Sequence, residues 1–265
     1  MEQALFISKP DTAHYLTEDF TRLYYGQEFC ERLLPDETQL KEVLSFAQEH
    51  RLEITFVTPY VTNRGLAHLE RLFGLLSEKK PDIEVVFNDW GVLHLLRTSF
   101  PEAQPVLGRL LNKMKRGPRI MNIYEKMPQA SQEYFRRSSL DVPEVGAFLL
   151  QHGINRVEFD NLLQGISFEG ADSRIRKSLY LPFAFVSTTR FCLTANCDDP
   201  GYAERIGIFP CGRECQRYTF HLFNPVMTVP LIRKGNTIFF LNERIPESVA
   251  RHEVDRIVVQ PEIPV

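Results

Sequence analysis

Residues 53–87, EITFVTPYVTNRGLAHLERLFGLLSEKKPDIEVVF, decide the fold class. The two ends, EITFVT and IEVVF, are short runs rich in β-branched and aromatic residues, which favour β-strands. Between them, five apolar residues recur at the spacing of one helix face: Leu66, Leu69, Leu72, Phe73 and Leu76. A strand, a crossover helix and a second strand predict two parallel strands with the helix packed over their sheet.

The same unit recurs through the first two thirds of the chain. Further strands are predicted at 22–26, 119–123 and 157–159, and further helices at about 36–50, 91–98, 107–117 and 144–151. Five or more such units predict an α/β fold with a (β/α) TIM-like barrel. In the last third, strands at 179–186, 226–232, 237–241 and 257–259 break the alternation. We therefore expect a barrel that is incomplete or distorted in its C-terminal third.

Composition excludes several classes of protein. The 265 residues are 43% hydrophobic and 25% charged, which is ordinary globular usage and argues against disorder, collagen and coiled coil. The net charge of −3 provides no global positive charge for a polyanion. The N-terminus lacks the basic residues of a signal peptide, and no apolar run approaches the about 20 residues of a membrane span. We expect one cytoplasmic barrel domain over residues 1–265, with a cysteine-rich segment at about 187–220.

The five cysteines are the most informative residues for function. Cys192, Cys197, Cys211 and Cys215 fall within 24 residues, and Cys30 lies just past the first predicted strand. An odd and small number of cysteines argues against a disulfide framework and favours a metal or redox site. Spacing alone leaves zinc, an iron–sulfur cluster and a chance grouping of small buried residues open. The place of Cys30 favours a cluster, because barrel enzymes carry functional groups at the carboxyl ends of their strands.

Three segments carry a resemblance to a known family. The run Tyr25-Gly26-Gln27-Glu28-Phe29-Cys30 resembles a Gly-Glu-x-x-Cys segment, and residues 181–195 resemble a Leu-Pro-x-Ala-aromatic segment that leads into Cys-x-Thr-Ala. The pair Cys211 and Cys215 follows at the corresponding place. On these residues the chain resembles the UbiV group of the collagenase-like peptidase superfamily, which serves oxygen-independent ubiquinone synthesis. The resemblance runs across nearly the whole chain.

The resemblance implies a cofactor, a partner and a reaction class. It implies one [4Fe-4S] cluster held by Cys30, Cys192, Cys211 and Cys215, with zinc as the alternative metal. Cys197 has no counterpart in the pattern, and the segment between Cys192 and Cys211 is slightly longer here, so Cys197 is the alternative to Cys192. The implied role is that of a subunit in oxygen-independent hydroxylation of a ubiquinone precursor ring, in a heterodimer with a UbiU-like paralogue.

Two other roles follow from the same resemblance or from the cysteines alone. Relatives in the superfamily hydroxylate RNA bases, and a protein with a purely structural metal would be a non-catalytic partner. Peptidase activity is not expected, because the sequence has neither a zinc-protease histidine pair nor a Gly-x-Ser-x-Gly elbow. A small aromatic substrate is favoured over RNA, because the short basic runs 113–116 and 136–137 are more typical of solvated surfaces.

Further polar residues are candidates for the site. Asn88-Asp89-Trp90 follows a predicted strand, where Asp89 is better explained as a helix N-cap. Glu158, between apolar neighbours, is either a buried acid–base group or the partner of an arginine. Weaker candidates are the rim residues Thr58, Asn63 and Asn122 and the cations Arg190 and Arg213, which flank cysteines and could favour their thiolates. The histidines show no ligand spacing, and no catalytic residue is predicted.

Overall fold

The computed structural model describes residues 1–199, 201, 209–246, 249, 251 and 253–265. Eight parallel strands form a closed barrel in the order β1-β12-β7-β6-β5-β4-β3-β2. These strands are β1 (Glu2–Ile7), β2 (Arg22–Gly26), β3 (Glu53–Val57), β4 (Glu84–Phe87), β5 (Gln104–Leu107), β6 (Arg156–Asp160), β7 (Arg176–Leu181) and β12 (Arg256–Val259). The predicted TIM-like barrel is confirmed, and it closes because β12 inserts between β1 and β7.

Helices cover the outside of the barrel. They are α1 (Glu37–Glu49), α2 (Asn63–Lys79), α3 (Trp90–Ser99), α4 (Met121–Tyr124), α5 (Gln129–Arg136) and α6 (Pro143–Gln151). The start of α1 is fixed by a capping box in which Asp36 accepts from the Gln39 backbone and the Gln39 side chain accepts from the Asp36 backbone. In α2 the buried residues include Leu69, Leu72 and Phe73, as the spacing predicted.

The predicted helix at 107–117 is wrong. Leu107 ends β5, which pairs with β4 and β6, and the chain then turns at Gly108, whose carbonyl accepts from the backbone of Leu111 and Asn112. Leu110 and Leu111 pack against different apolar clusters, so their helical spacing does not reflect a common face.

The predicted strand at 119–123 is also wrong. Gly117-Pro118 begins a 3₁₀ turn at Pro118–Ile120 that continues into α4, because proline at a first helical position is already set for helix geometry. Two barrel strands were not predicted: β1 is too close to the terminus to show a pattern, and β5 contains Pro105, which is unusual inside a strand.

The last third adds a second sheet to the closed barrel. The predicted strand at 179–186 is two strands, β7 and β8 (Phe183–Thr188), separated by Pro182. With β9 (Phe220–Leu222), β10 (Leu231–Lys234) and β11 (Thr237–Leu241), β8 forms an antiparallel sheet in the order β8-β11-β10-β9. The predicted hairpin is therefore present as β10 and β11, although its first strand is shorter than 226–232. The barrel is complete, and the sheet accounts for the change of pattern.

No helix among the described residues is long and apolar enough to span a membrane.

An ionic network closes the end of the barrel where the strands begin. Arg256, the first residue of β12, donates from Nη1 to Glu84 Oε2 over 2.6 Å and from Nε to Glu2 Oε2 over 2.6 Å. Arg22 donates to the other oxygen of Glu2, also over 2.6 Å. Burial alone would raise the pKa of Glu84, but the hydrogen bond and charge of Arg256 outweigh it and lower the pKa to about 2.

Glu158 lies deeper in the barrel and is fully buried. Its Oε1 accepts a hydrogen bond from Tyr24 Oη at 3.1 Å, while its Oε2 has no partner in the described part of the chain. No arginine forms a salt bridge with it there, and burial raises its pKa to about 7 despite the charges of Arg256 and Arg156. Of the two sequence-based interpretations, the structure favours the buried carboxyl with a raised pKa.

The two buried glutamates predict opposite dependences of stability on pH. The Glu84 carboxylate is stabilised in the folded state, so its contribution is present above about pH 4.5 and is lost as pH falls towards 2. Glu158 holds its proton longer when folded than when unfolded, so its effect becomes unfavourable as pH rises from about 4.5 to 7. Each of these differences in pKa between the unfolded and the folded state corresponds to about 3 kcal/mol.

Denaturant unfolding of the wild type, Glu84→Gln and Glu158→Gln at several pH values tests this expectation. Relative to wild type, Glu84→Gln should be less stable at neutral pH and should approach it in acid, whereas Glu158→Gln should become relatively more stable as pH rises from about 4.5 to 7. The same pH trend in both variants would contradict the assignment.

Candidate metal centre

A buried arginine joins the carboxyl end of the barrel to the added sheet. Arg109, just after β5, donates from Nε to Glu28 Oε1 at 2.9 Å and from Nη1 to Asp160 Oδ1 at 2.8 Å. The same Nη1 donates to the carbonyl of Phe183, the first residue of β8, at 2.9 Å. Arg109, Glu28 and Asp160 are all fully buried. Since Glu28 follows β2 and Asp160 ends β6, this contact fixes the segment that leads to Cys30 beneath the sheet.

The turn between β10 and β11 contacts two of the cysteine-bearing segments directly. Asn236 donates from Nδ2 to the carbonyls of Phe29 and Thr189, both at 2.8 Å. Thr194, two residues after Cys192, donates from its hydroxyl to the Gly235 carbonyl at 2.7 Å. Through these bonds the turn binds the residue before Cys30 and both sides of Cys192.

The third segment, which carries Cys211 and Cys215, packs against the same turn. Gly235 has a left-handed backbone with φ +60°, and a Cβ built on it would lie 3.4 Å from Cys215 Cβ. Cys215 is buried in an apolar cluster with Phe29 and Phe239. The turn therefore brings all three cysteine-bearing segments together, which no sequence spacing could show.

Glu214 binds the two C-terminal cysteine segments to each other. Its Oε1 accepts from the backbone of Asn196 at 2.9 Å and from the backbone of Gly212 at 3.2 Å. The carboxylate is thereby held by N–H groups from both segments. Both N–H groups therefore have a hydrogen-bond partner. The same carboxylate holds the segment after Cys192 next to the residue after Cys211.

The thiols fall into a group of four and one apart. Burial raises the pKa of Cys30 to about 11, and the charges of Cys215, Cys211 and Cys192 add to the increase. Burial likewise raises the pKa of Cys192 and of Cys215, with neighbouring thiols again contributing. For Cys197, burial comes first and is followed by Asp198 and Glu214 rather than by another cysteine. No other cysteine is among these causes for Cys197, whereas the causes for Cys30 include the other three thiols of the predicted set.

The described residues contain no group of three or more histidine, cysteine or acidic side chains placed to hold a metal ion as they stand. Thiolates bound to one zinc lie about 2.3 Å from it and hence within about 4 Å of one another. The described thiols do not meet that condition as they stand. As a donor set, four thiols suit zinc or an iron–sulfur cluster.

Two adjoining cavities open beside Cys30. One of about 180 Å³ is lined by Cys30, Thr62 and Asn236, and the other, of about 380 Å³, by Lys113 and Ser187 among others. Tyr60 and Arg190 line both, with the Arg190 guanidinium 5.5 Å from the centre of the Tyr60 ring. A cation over an aromatic ring beside a thiol can hold a flat or anionic molecule there.

The other polar residues singled out in the sequence have structural roles. Asp89 caps α3 by accepting from the Gly91 backbone, as expected. Asn88 is buried and donates to the carbonyl of Thr58, whose own hydroxyl donates to that of Val86. Asn122 donates to the Val226 carbonyl.

The remaining candidates are the cations, Asn63 and the histidines. Arg213, between two cysteines, adopts a left-handed backbone with φ +60°. Asn63 is the first residue of α2. In the basic run 113–116, Arg116 is committed to a salt bridge with Asp160 at 2.6 Å. His252 lies outside the described residues, and the other histidines belong to no metal-binding group in the described part.

Sequence reasoning missed the charged residues of the barrel rim. Arg109 and Asp160 were not singled out, and Glu28 appeared only within the motif that ends in Cys30. A usable signal existed, because Asp160 ends the apolar strand β6 and Arg109 comes two residues after β5. Charged residues at the carboxyl ends of barrel strands are expected to point into the functional face.

Comparison with known proteins gives no family assignment. No protein-family model matches the chain, and no curated protein matches it. Among solved structures, the U32 peptidase Mk0906 is similar at 11% identity and TM-score 0.48 over 100% of this chain and 94% of that one. A glycoside hydrolase family 18 N-acetylglucosaminidase from Paenibacillus barengoltzii is similar at 10% identity and TM-score 0.39, over 97% and 94%. Likenesses this distant carry no functional argument, and the strand order itself establishes the barrel.

The turn glycine provides a direct test of how the three segments are held. In Gly235→Ala the new Cβ would lie 2.8 Å from Val265 Cγ1 and would require a left-handed backbone. We expect a loss of about 1–3 kcal/mol in the free energy of unfolding, measured in denaturant. Gly74→Ala is the matched control, because its Cβ meets no atom within 4 Å in the middle of α2. That variant should gain about 0.5–1 kcal/mol. Equal stability of Gly235→Ala and wild type would show that the turn is not constrained.

Proposed function

We propose that the protein binds a [4Fe-4S] cluster through Cys30, Cys192, Cys211 and Cys215 and acts as a subunit in oxygen-independent hydroxylation. The observation that carries the proposal is the convergence of three cysteine-bearing segments on one turn, through Asn236, Thr194 and Gly235. Four thiols grouped without disulfide partners form the usual donor set of such a cluster.

One feature supports a cluster over the alternative of a single zinc ion. The four thiols come from three separate segments, with Cys30 on the barrel rim and more than 150 residues before Cys192. Zinc sites usually take their thiolates from closely spaced pairs.

The chain's own residues provide the environment of the cluster. When bound, the cluster would supply one-electron chemistry or a Lewis-acidic iron. The apolar cluster around Phe29 and Phe185 shields one side from water, which affects the potential of such centres. Arg190 over Tyr60 provides a positive charge beside Cys30 in the adjoining cavities. Substrate bound there would lie next to the proposed cluster.

The substrate and partner follow from the sequence resemblance. Residues 25–30, 181–195 and the pair Cys211 and Cys215 resemble the UbiV group, so we propose a ubiquinone precursor ring as substrate and a UbiU-like paralogue as heterodimer partner. The cavity beside Tyr60 and Arg190, about 380 Å³ in volume, is of a size and character that suits a small aromatic ring. The added hydroxyl oxygen would come from a donor other than O₂.

Hydroxylation of an RNA base is a weaker proposal. It would need a positive surface at the carboxyl face of the barrel, since phosphate contacts provide most of the affinity for nucleic acid. Arg116 in the run 113–116 is already paired with Asp160 in a salt bridge, and the chain carries a net charge of −3. These observations favour a small aromatic substrate over RNA.

Metal analysis tests the cluster. Protein purified without oxygen should be brown and should contain about four iron atoms per chain. Cys30→Ala should lose the iron, because a cubane needs its fourth thiolate. Cys197→Ala is the matched control and should keep it, because the largest influences on the Cys197 pKa come from burial, Asp198 and Glu214. Colourless protein with one zinc would refute the proposal. Loss of iron in Cys197→Ala with retention in Cys192→Ala would reassign the ligand.

Affinity capture from cells grown without oxygen separates the functions. The hydroxylase proposal predicts that a paralogous barrel protein is recovered with the tagged chain. Enrichment of RNA in place of that protein would favour the base-modifying role. A third outcome is that neither a paralogous protein nor RNA is recovered and that reductant does not change the oxidation state of the bound iron. That outcome would assign the metal a structural role and refute a redox role.

A further inference from the structure

A second polar cavity lies at the carboxyl end of β6, away from the cysteines. Its volume is about 280 Å³, and it is lined by the segment that follows β6, by α5 and by the residues after β11. Asn242 directly follows β11, whereas Asn236 directly precedes that strand. Five residues of strand span about 16 Å, so this cavity and the cysteine turn lie at opposite ends of β11.

The charged residues that line this cavity are of one sign. Arg136 and Arg244 both line it, and among the residues that the structure describes no aspartate or glutamate does. The Arg244 side chain is exposed and has no hydrogen-bond or ion-pair partner among the residues that the structure describes. Two arginines without a facing carboxylate favour an anionic occupant.

The Arg136 guanidinium has a buried donor without a partner. Its Nη2 donates to the Ile166 carbonyl at 3.3 Å, and a Cβ built on Gly165, which adopts φ +80°, would lie 3.6 Å from its Nε. Its Nε is buried and has no partner in the described residues. Because a buried donor without a partner is costly, this atom indicates an occupant that accepts a hydrogen bond.

Asn161 lines the same cavity and has an acceptor without a partner among the described residues. Its Nδ2 donates to the carbonyls of Asn242 at 3.0 Å and Arg244 at 2.8 Å, and these two bonds fix the orientation of the amide. The side chain is 1% exposed, and its Oδ1 has no partner among the described residues. An occupant that satisfies this oxygen must donate a hydrogen bond, which a bare inorganic anion without a proton cannot do.

We propose that this cavity binds a small hydroxylated anion, a phosphate or carboxylate whose neighbouring carbon carries a hydroxyl group. The anionic group faces Arg136 and Arg244, and the hydroxyl donates to Asn161 Oδ1. The site lies where barrel proteins place functional groups, at the carboxyl end of a strand. It involves none of the cysteines, so it stands independently of the proposed cluster.

Isothermal titration calorimetry with glycerol 3-phosphate tests the site. Saturable binding with a Kd of about 1 mM or tighter is expected. Propyl phosphate, which has the same charge but no hydroxyl group, should bind about fivefold to tenfold more weakly, as expected for one lost hydrogen bond. Glycerate should bind as well if the site takes carboxylates, and failure of glycerate alone would assign the site to phosphates.

Variants separate a built site from general attraction of anions. Arg244→Gln should weaken glycerol 3-phosphate binding by at least about tenfold, because a charge-assisted contact is lost. Arg137→Gln is the matched control, since Arg137 adjoins Arg136, is exposed and does not line the cavity. Its binding should match wild type, and both variants should retain the wild-type iron content.

Three results would overturn the proposal. The first is no binding of glycerol 3-phosphate at 10 mM, roughly ten times the expected Kd, which would show that the cavity holds only water. The second is equal weakening by Arg244→Gln and Arg137→Gln. The third is equal affinity for glycerol 3-phosphate and propyl phosphate, which would remove the role of Asn161.

Discussion

The position of the functional face depends on the buried contact of Arg109 with Glu28 and Asp160. Three fully buried charged side chains are tolerated only when they are paired and hydrogen-bonded, because an isolated charge in the interior is strongly unfavourable. Arg109 meets this condition because its guanidinium donates to both carboxylates and to the Phe183 carbonyl at the same time. Its central carbon also lies 4.0 Å from the centre of the Tyr180 ring. The contact therefore fixes β2, β6 and the start of the added sheet relative to one another.

Both candidate sites lie directly beside this contact along the chain. Glu28 is two residues before Cys30, and Asp160 immediately precedes Asn161. The backbone N–H of Phe185 also donates to Asp160 Oδ1 at 3.2 Å, which holds β8 and through it the pairing of β8 with β11. Because β11 carries the cysteine turn at one end and Asn242 at the other, one buried ionic contact positions both ends. The contact therefore positions both sites in addition to stabilising the barrel.

Local patterns predicted most of the barrel but little of its charged rim. Helix α2 was predictable because a single buried face gives a regular period over many residues. Strand β3 was predictable because its β-branched and aromatic residues favour a strand, although it is buried on both faces. Strand β5 was not, because it contains Pro105 and because its Leu107 shares a helical spacing with the apolar residues that follow it. Arg109 lies 81 residues from Glu28 and 51 from Asp160, and nothing local encodes such pairing. The cysteine tetrad was proposed from the family resemblance, whereas the turn that gathers its segments, Gly235-Asn236, became evident only from the folded chain.

The filled axis of the barrel decides where chemistry can take place. In many barrel enzymes the substrate enters over the centre of the carboxyl face. Here Arg109 and the rings of Tyr180 and Tyr24 are fully buried along that axis, and the first strand of the added sheet lies over them. A substrate cannot reach the axis without separating paired charges that have no water to replace them. The two cavities that Tyr60 and Arg190 line lie to the side, between the barrel rim and the sheet, and Cys30 lines one of them. Any reaction that uses Cys30 must therefore take place at this lateral edge, where residues 187–190 and the turn at Asn236 form part of the wall.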